Sequence, residues 1–179
     1  VRPPRDENDL ERFDREMATA AGAGARVVRT VIIPGRRYER FGSMEEFRQF
    51  DRQGRESLKL AEPVAARHGV RLAVENHKDH RLEERVAMLR QFDSRWIGAC
   101  VDFGNNFSLL EDPLEVVKAL APWAASVHVK DQAVREYEDG FLLADVPLGQ
   151  GFLDLKQMVR ILRDKDPQLD FSLELITRD

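Results

Sequence analysis

Four polar residues stand in this sequence where an apolar one is expected. Glu75 follows Leu72-Ala73-Val74, Asp102 follows Ala99-Cys100-Val101, His128 sits between Val127 and Val129, and Glu174 sits between Leu173 and Leu175. A carboxylate among buried apolar neighbours is costly unless something pairs with it. For any one of these residues a structural ion pair is a sufficient account. Four of them, each late in an apolar β-branched run, point to one shared partner. Three carboxylates and one imidazole suit a single divalent ion (Mn²⁺, Mg²⁺, Co²⁺ or Zn²⁺) and do not suit copper or an iron–sulfur cluster.

The runs that carry these residues read as strands. They fall at 71–77, 97–104, 125–131 and 170–176, with a fifth at 26–33. Helical spacing fills the intervals. Leu10, Phe13, Met17 and Ala21 share one face. Residues 44–68 open on Ser43 and Glu46 at capping-box spacing and stop at Gly69, with Pro63 expected to kink or split that helix. Leu82, Val86, Leu89 and Phe92 mark the next helix, and Asp112-Pro113 reads as N-cap and first helical residue before Leu114, Val117 and Leu120. Leu155, Met158, Val159 and Leu162 mark the last. Strands alternating with helices predict β-α-β units and a parallel sheet, whose strand carboxyl ends form the mouth where ligands bind. No Gly-x-Gly-x-x-Gly turn follows any strand, which argues against a dinucleotide fold. A closed eight-stranded barrel is the alternative to the open sheet. Five strands cannot close one, so a barrel reading implies that about 90 residues carrying three strands lie elsewhere. Val1 is not a methionine and Asp179 follows a strand-like run, so the expectation is a piece of a longer chain, forming a single partial barrel domain over residues 1–179.

Composition narrows the partners. The 32 acidic against 28 basic residues give a net charge of −4, which disfavours a nucleic-acid backbone as ligand. One cysteine, Cys100, excludes an intrachain disulfide and a cysteine zinc cluster. No apolar run approaches the roughly 20 residues of a membrane span, and no signal peptide opens the sequence. A cytoplasmic location is expected.

The neighbours of the four residues have two readings each. His77 shares a strand face with Glu75 and either binds substrate hydroxyls or caps the strand end. Lys130 shares a face with His128 and either binds a substrate oxygen or neutralises the carboxylates, while Asp131 faces away and holds a loop. Arg29, inside an apolar strand, reads as half of a buried ion pair. His68 and His80 fall at helix ends and read as solvated. Trp96 and Trp123 read as packing against helices and Cys100 as core. The Gly149-Gln150-Gly151 turn either touches substrate or only precedes a helix at 153–163.

From about Gly24 onward these motifs resemble the xylose-isomerase-like barrels, which include sugar phosphate isomerases and epimerases and apurinic-site endonucleases. The resemblance rests on "VENH", "VDFGN", "VHVKD", "PLGQGFLDL" and the closing "LEL", in that order. It implies a (β/α)₈ TIM barrel of which this chain supplies strands four to eight. It implies Glu75, Asp102, His128 and Glu174 as ligands to one divalent metal, with Glu75 and Glu174 also the acid/base pair. His77, Asn105 and Lys130 would bind substrate. The implied activity is isomerisation or epimerisation of a small keto-sugar or polyol through an enediolate. The alternatives are a dehydratase of inosose or dehydroshikimate type and, further off, a non-catalytic sugar-binding barrel. Asn105 stands where the family often has a histidine that binds a second zinc in the endonucleases, and Leu143 and Asp145 stand where those enzymes place further ligands. DNA repair is thereby demoted. A small sugar is the expected partner, with neither nucleic acid nor membrane. The open edges of a partial barrel also lead to a homo-oligomer as an expectation.

Overall fold

The computed structural model describes residues 1–174. Its centre is a parallel sheet of five strands: β1 (Val27–Thr30), β2 (Arg71–Glu75), β3 (Ile97–Asp102), β4 (Ala124–Val129) and, last in the chain, β7 (Phe171–Leu173). They lie in the order β1-β2-β3-β4-β7, so each strand lies beside its predecessor in this series, as in half of a barrel. Among the described residues β1 and β7 are the sheet's edges. The strands are shorter than the sequence reading made them. The segment at 26–33 pairs only over β1, the run at 71–77 stops at Glu75, and residues 175–176 of the expected last strand lie outside the described residues.

The helices follow their end signals. Helix α1 (Leu10–Gly22) buries Phe13 and Met17. After the short α2 (Arg37–Arg40), α3 (Met44–His68) is capped by the Ser43 hydroxyl, which accepts from the Glu46 N–H, and ends on Gly69 in the left-handed region. Pro63 was expected to kink or split α3; the helix runs unbroken, its proline ring exposed while Leu58, Ala61, Val64 and Ala65 hold the other face in the core. Next come α4 (Leu82–Phe92), α5 (Pro113–Leu120), with the Asp112 side chain accepting from Glu115 N–H, and α6 (Leu155–Lys165). Their apolar faces join Leu72, Val74, Ile97, Ala99, Val101 and Val127 in one large core. Trp96 and Trp123 pack on its margin as expected. On the other face of the sheet, Ala73, Cys100 and Ala125 with Val27 form a small second cluster. At the amino-terminal end of the strands the Arg71 guanidinium lies over Gly98, where an added Cβ would come within 2.6 Å of it. That side chain donates to the Ala124 and Trp123 carbonyls, tying β2, β3 and β4 together.

Two strands were not foreseen. β5 (Asp131–Tyr137) and β6 (Gly140–Val146) pair antiparallel as a separate hairpin between β4 and α6. It closes through the two-residue turn Glu138-Asp139, and Gly140, the first residue of β6, has φ 147°. Phe141 of the hairpin and Phe152 both stack on Phe107, with ring centroids 5.8 and 4.9 Å away. Among the described residues no helix is long and apolar enough to cross a membrane.

Asp131, at the start of the hairpin, holds the loop that follows it. Its carboxylate accepts the backbone N–H of Gly149 at 2.9 Å, Gly151 at 2.8 Å and Leu153 at 3.3 Å. Gly151 is required there, because a Cβ would collide with Asp131 Oδ1 and the Gln132 carbonyl. Replacing Asp131 with Ala leaves these donors without their charged acceptor and should cost on the order of 2–4 kcal/mol in urea denaturation. A loss below about 0.5 kcal/mol would mean that water satisfies the loop equally well.

Candidate active site

Alternation along each strand decides which side chains enter the half-barrel. Arg29 of β1, Glu75 of β2, Asp102 of β3 and His128 of β4 all point to its inner face, while apolar neighbours such as Val74 and Val127 are directed into the helical core. Register places Glu75 opposite Cys100 and Asp102 opposite His128, and Glu174 directly follows β7, its N–H donating to the Val129 carbonyl. One ligand atom from each of Glu75, Asp102, His128 and Glu174 lies within 4.8 Å of all the others. The four residues singled out from the sequence thus converge. Cys100 also approaches Glu75 and His128.

Several polar side chains hold this group in place. Asn76 brackets Asp102: its Oδ1 accepts the Asp102 N–H at 2.8 Å and its Nδ2 donates to the Asp102 carbonyl at 3.0 Å. Asp102 Oδ1 in turn accepts from the N–H groups of Gly104 and Asn105, at 3.0 and 2.8 Å. The Asn105 side chain donates to Glu75 Oε1 at 3.1 Å and accepts from Lys130 Nζ at 3.4 Å. Lys130 is almost wholly buried and spans Asp102 and Glu174, with Nζ 3.0 Å from Oδ2 of the first and 2.8 Å from Oε2 of the second. Arg29 Nε donates to Glu75 Oε2. Arg29 is thus half of an ion pair, as expected, but the arginine is exposed and only the Glu75 half is buried. Asn105 and Lys130, expected to bind substrate, contact the carboxylates themselves. Asn76 escaped the sequence reading, although its place directly after Glu75 in "VENH" was the available signal.

The electrostatics of the group are strained by its own charges. Burial raises Asp102 above the usual carboxylate range, to about 7, against the opposing pull of Lys130. Glu174 is held well below its ordinary value, chiefly by His128 and then by Lys130 and Asp102 against the effect of burial. Burial would raise Glu75 too, but hydrogen bonds from His128 and Arg29 outweigh it and lower the group. His128 is pushed up to about 12, first by Cys100 and then by Glu174 and Glu75. Despite these contacts, Asp102 Oδ2, His128 Nδ1 and Glu174 Oε2 are closed off from solvent without a hydrogen bond of normal geometry. Lys130 Nζ faces both oxygens as an ion pair, yet none of the three atoms makes a well-directed hydrogen bond, and such a set of buried donor atoms in one cluster is uncommon. The donor set and its convergence fit a divalent cation.

Two histidines lie near this group, and one of them, His80, differs from expectation. His77 lies beyond the end of β2, outside the four-residue group; its backbone N–H donates to Asp79 and its Nδ1 has no partner among the described residues. His80, expected to be solvated, is buried. It lies against Asp51 of α3, with Nε2 2.6 Å from Oδ1, and against Asp79, with Nδ1 3.2 Å from Oδ2. Arg85 of α4 donates to both oxygens of Asp79, at 2.7 and 2.8 Å, and Phe47 of α3 packs on the imidazole. A buried charged cluster of this kind requires full pairing, which the sequence spacing alone did not reveal. It fastens the segment that follows Glu75 to two helices. His68, the other histidine expected in solvent, is partly exposed and approaches Asp14 at 2.7 Å.

The same fold recurs in known proteins. The family model of the xylose isomerase-like TIM barrel matches residues 2–179. The chain belongs to that family. A 3-oxo-isoapionate decarboxylase of Pectobacterium atrosepticum is 27% identical over 119 residues, 65% of this chain and 43% of the relative. The chain thus spans less than half the length of this curated relative. Among solved structures, the mannonate dehydratase of Streptococcus suis superposes with a TM-score of 0.71 at 17% identity, covering 97% of this chain and 64% of that one. The 3-keto-D-glucoside 4-epimerase of E. coli gives 0.68 at 18% identity, covering 96% and 65%. These likenesses show the fold. Structures with the same fold include one in complex with magnesium and one with zinc bound.

The Asp51–His80–Asp79 arrangement has a consequence for stability. Burial and then Arg85 lower the His80 pKa, but Asp79 and Asp51 outweigh them and the value ends above the ordinary one. A raised folded value means that the contribution is complete below the unfolded pKa of about 6.5 and is lost as pH rises through the folded pKa. The stability difference between the native protein and His80→Gln should therefore be largest near about pH 6 and shrink toward about pH 9. Urea titrations across that range measure it. A difference that stays flat or grows with pH would show that His80 is neutral in the folded state.

Proposed function

We propose that this protein is a divalent-metal-dependent isomerase or epimerase of a small keto-sugar or polyol. One observation carries the reading. Glu75 and Glu174 come from different strand ends, yet their carboxylates meet at the same imidazole, 3.7 and 3.4 Å from His128 Nδ1. Proton transfer at carbon with inversion needs one carboxylate on each face of the reacting centre. One of the pair takes the proton from the carbon beside the substrate carbonyl as the C–H electrons move toward the carbonyl oxygen. The other returns a proton to the opposite face, or to the neighbouring carbon in an aldose–ketose interconversion. Glu75, Asp102, His128 and Glu174 would hold the metal, which when bound supplies positive charge beside the substrate oxygens. Asn105 keeps the Glu75 carboxylate oriented, and Lys130 keeps Asp102 and Glu174 from repelling each other.

A second reading shares most of these parts. The carbon that loses a proton can expel a neighbouring hydroxyl in place of regaining the proton, which makes a dehydratase. The mannonate dehydratase fold neighbour supports keeping it. Incubation of keto-sugars with metal-loaded protein in D₂O separates the two: an epimerase incorporates deuterium at carbon in recovered substrate, whereas a dehydratase yields a product that has lost water.

Glu174→Gln should lower turnover by at least about 10²-fold while metal remains bound, since an amide oxygen can ligate but cannot accept the proton. His128→Ala should instead weaken metal affinity, and excess metal should partly restore the rate. Metal content and rate are to be measured on the same preparations. Full activity in Glu174→Gln would reduce Glu174 to a ligand and remove the second base.

A further inference from the structure

Arg29 keeps hydrogen-bonding capacity that the site does not use. Its Nε is taken by Glu75, yet among the described residues no hydrogen bond reaches either terminal nitrogen. Its side chain is 41% exposed, while that of Lys130 is 4% exposed and engaged by two carboxylates. A guanidinium with its outer nitrogens open presents paired N–H donors suited to the two oxygens of a carboxylate or phosphate. Arg29 stands on β1 beside Glu75, so a group bound by it would lie next to the proposed base.

We infer that Arg29 docks an anionic substituent, a carboxylate or a phosphate, so that the substrate is an acidic sugar rather than a neutral one. This inference rests on the isomerase or epimerase reading for its sugar, but it concerns binding and can be tested without turnover.

The probes are three ligands of similar carbon skeleton: neutral D-fructose, 5-keto-D-gluconate and D-fructose 6-phosphate. Calorimetry on the full-length protein, metal-loaded and metal-free, gives the affinity of each. The metal-loaded protein should bind one of the two anions on the order of 10- to 100-fold more tightly than fructose, the size of a charge-assisted contact. Which anion wins separates the two sources of negative charge. Arg29→Met should erase the preference and Arg29→Lys should keep part of it, with metal content checked in both variants because Glu75 loses its partner in the first. The preference should also fall when metal is removed. The inference is overturned if fructose binds as tightly as both anions, if neither anion binds, or if Arg29→Met with metal retained still discriminates. Deuterium exchange in the same samples keeps the two ideas apart. An anion preference without exchange or turnover would sink the proposed reaction and leave Arg29 its role; exchange without any preference would do the reverse.

Discussion

Three carboxylates gathered within a few ångströms of one imidazole, in a space largely closed to water, set the terms for the rest of this structure. Two like unit charges about 4 Å apart repel by about 4 kcal/mol at the effective dielectric near a protein surface. Such a group persists only if positive charge and directed hydrogen bonds surround it. Arg29 answers Glu75, Lys130 answers Asp102 and Glu174, and the Gly104 and Asn105 N–H groups answer the remaining oxygen of Asp102. Even so, burial holds Asp102 above the usual carboxylate range, at about 7, against the pull of Lys130. A divalent cation is the remaining term that would let all three ionise together.

The sheet makes this crowding possible by separating two kinds of inward layer. Beneath the carboxylates lie small apolar residues, Ala73, Cys100 and Ala125 with Val27, which close the half-barrel floor without filling the mouth. Parallel register then carries the polar residues to the carboxyl ends of neighbouring strands, Asp102 directly opposite His128. Outside the sheet the helices supply the apolar core that holds that register. The loops add a second level of control: the Asp79–Arg85–His80–Asp51 cluster fixes the segment after Glu75, and Asp131 fixes the segment after the hairpin.

Legibility followed the reach of each interaction along the chain. The four convergent residues could be found because a polar residue inside an apolar strand run breaks a local pattern, and strand alternation says where it points. Helix α3 was bounded by Ser43 and Gly69 for equally local reasons. The hairpin at β5 and β6 was missed because its residues are mostly exposed and mix charge with apolar side chains, so neither face shows a clean alternation. His80 was misjudged because its partners lie 29 residues away at Asp51 and on the next helix at Arg85; no short-range signal marks a histidine as buried. Pro63 does not split α3, whose residues on either side of it pack into the core.

The family likeness and the geometry together explain how relatives on one scaffold can be named epimerase, dehydratase and decarboxylase. In general, loss of a proton or of carbon dioxide next to a carbonyl leaves an electron pair on carbon, which positive charge at the carbonyl oxygen stabilises. In the reaction proposed for this chain, that need would be met by inward residues at the strand ends, Asp102, His128 and the two glutamates. The fate of the electron pair is decided by what lies next to that carbon: a second acid that returns a proton, or a leaving group aligned to depart. Those determinants are set by how the substrate is oriented. In this chain a side chain with free donors to orient it is Arg29, at the edge of the same constellation and in contact with one of its bases. On the proposed reading, substrate charge and reaction class would therefore be coupled through the single Arg29–Glu75 pair, since the residue proposed to anchor the ligand also contacts the proposed base.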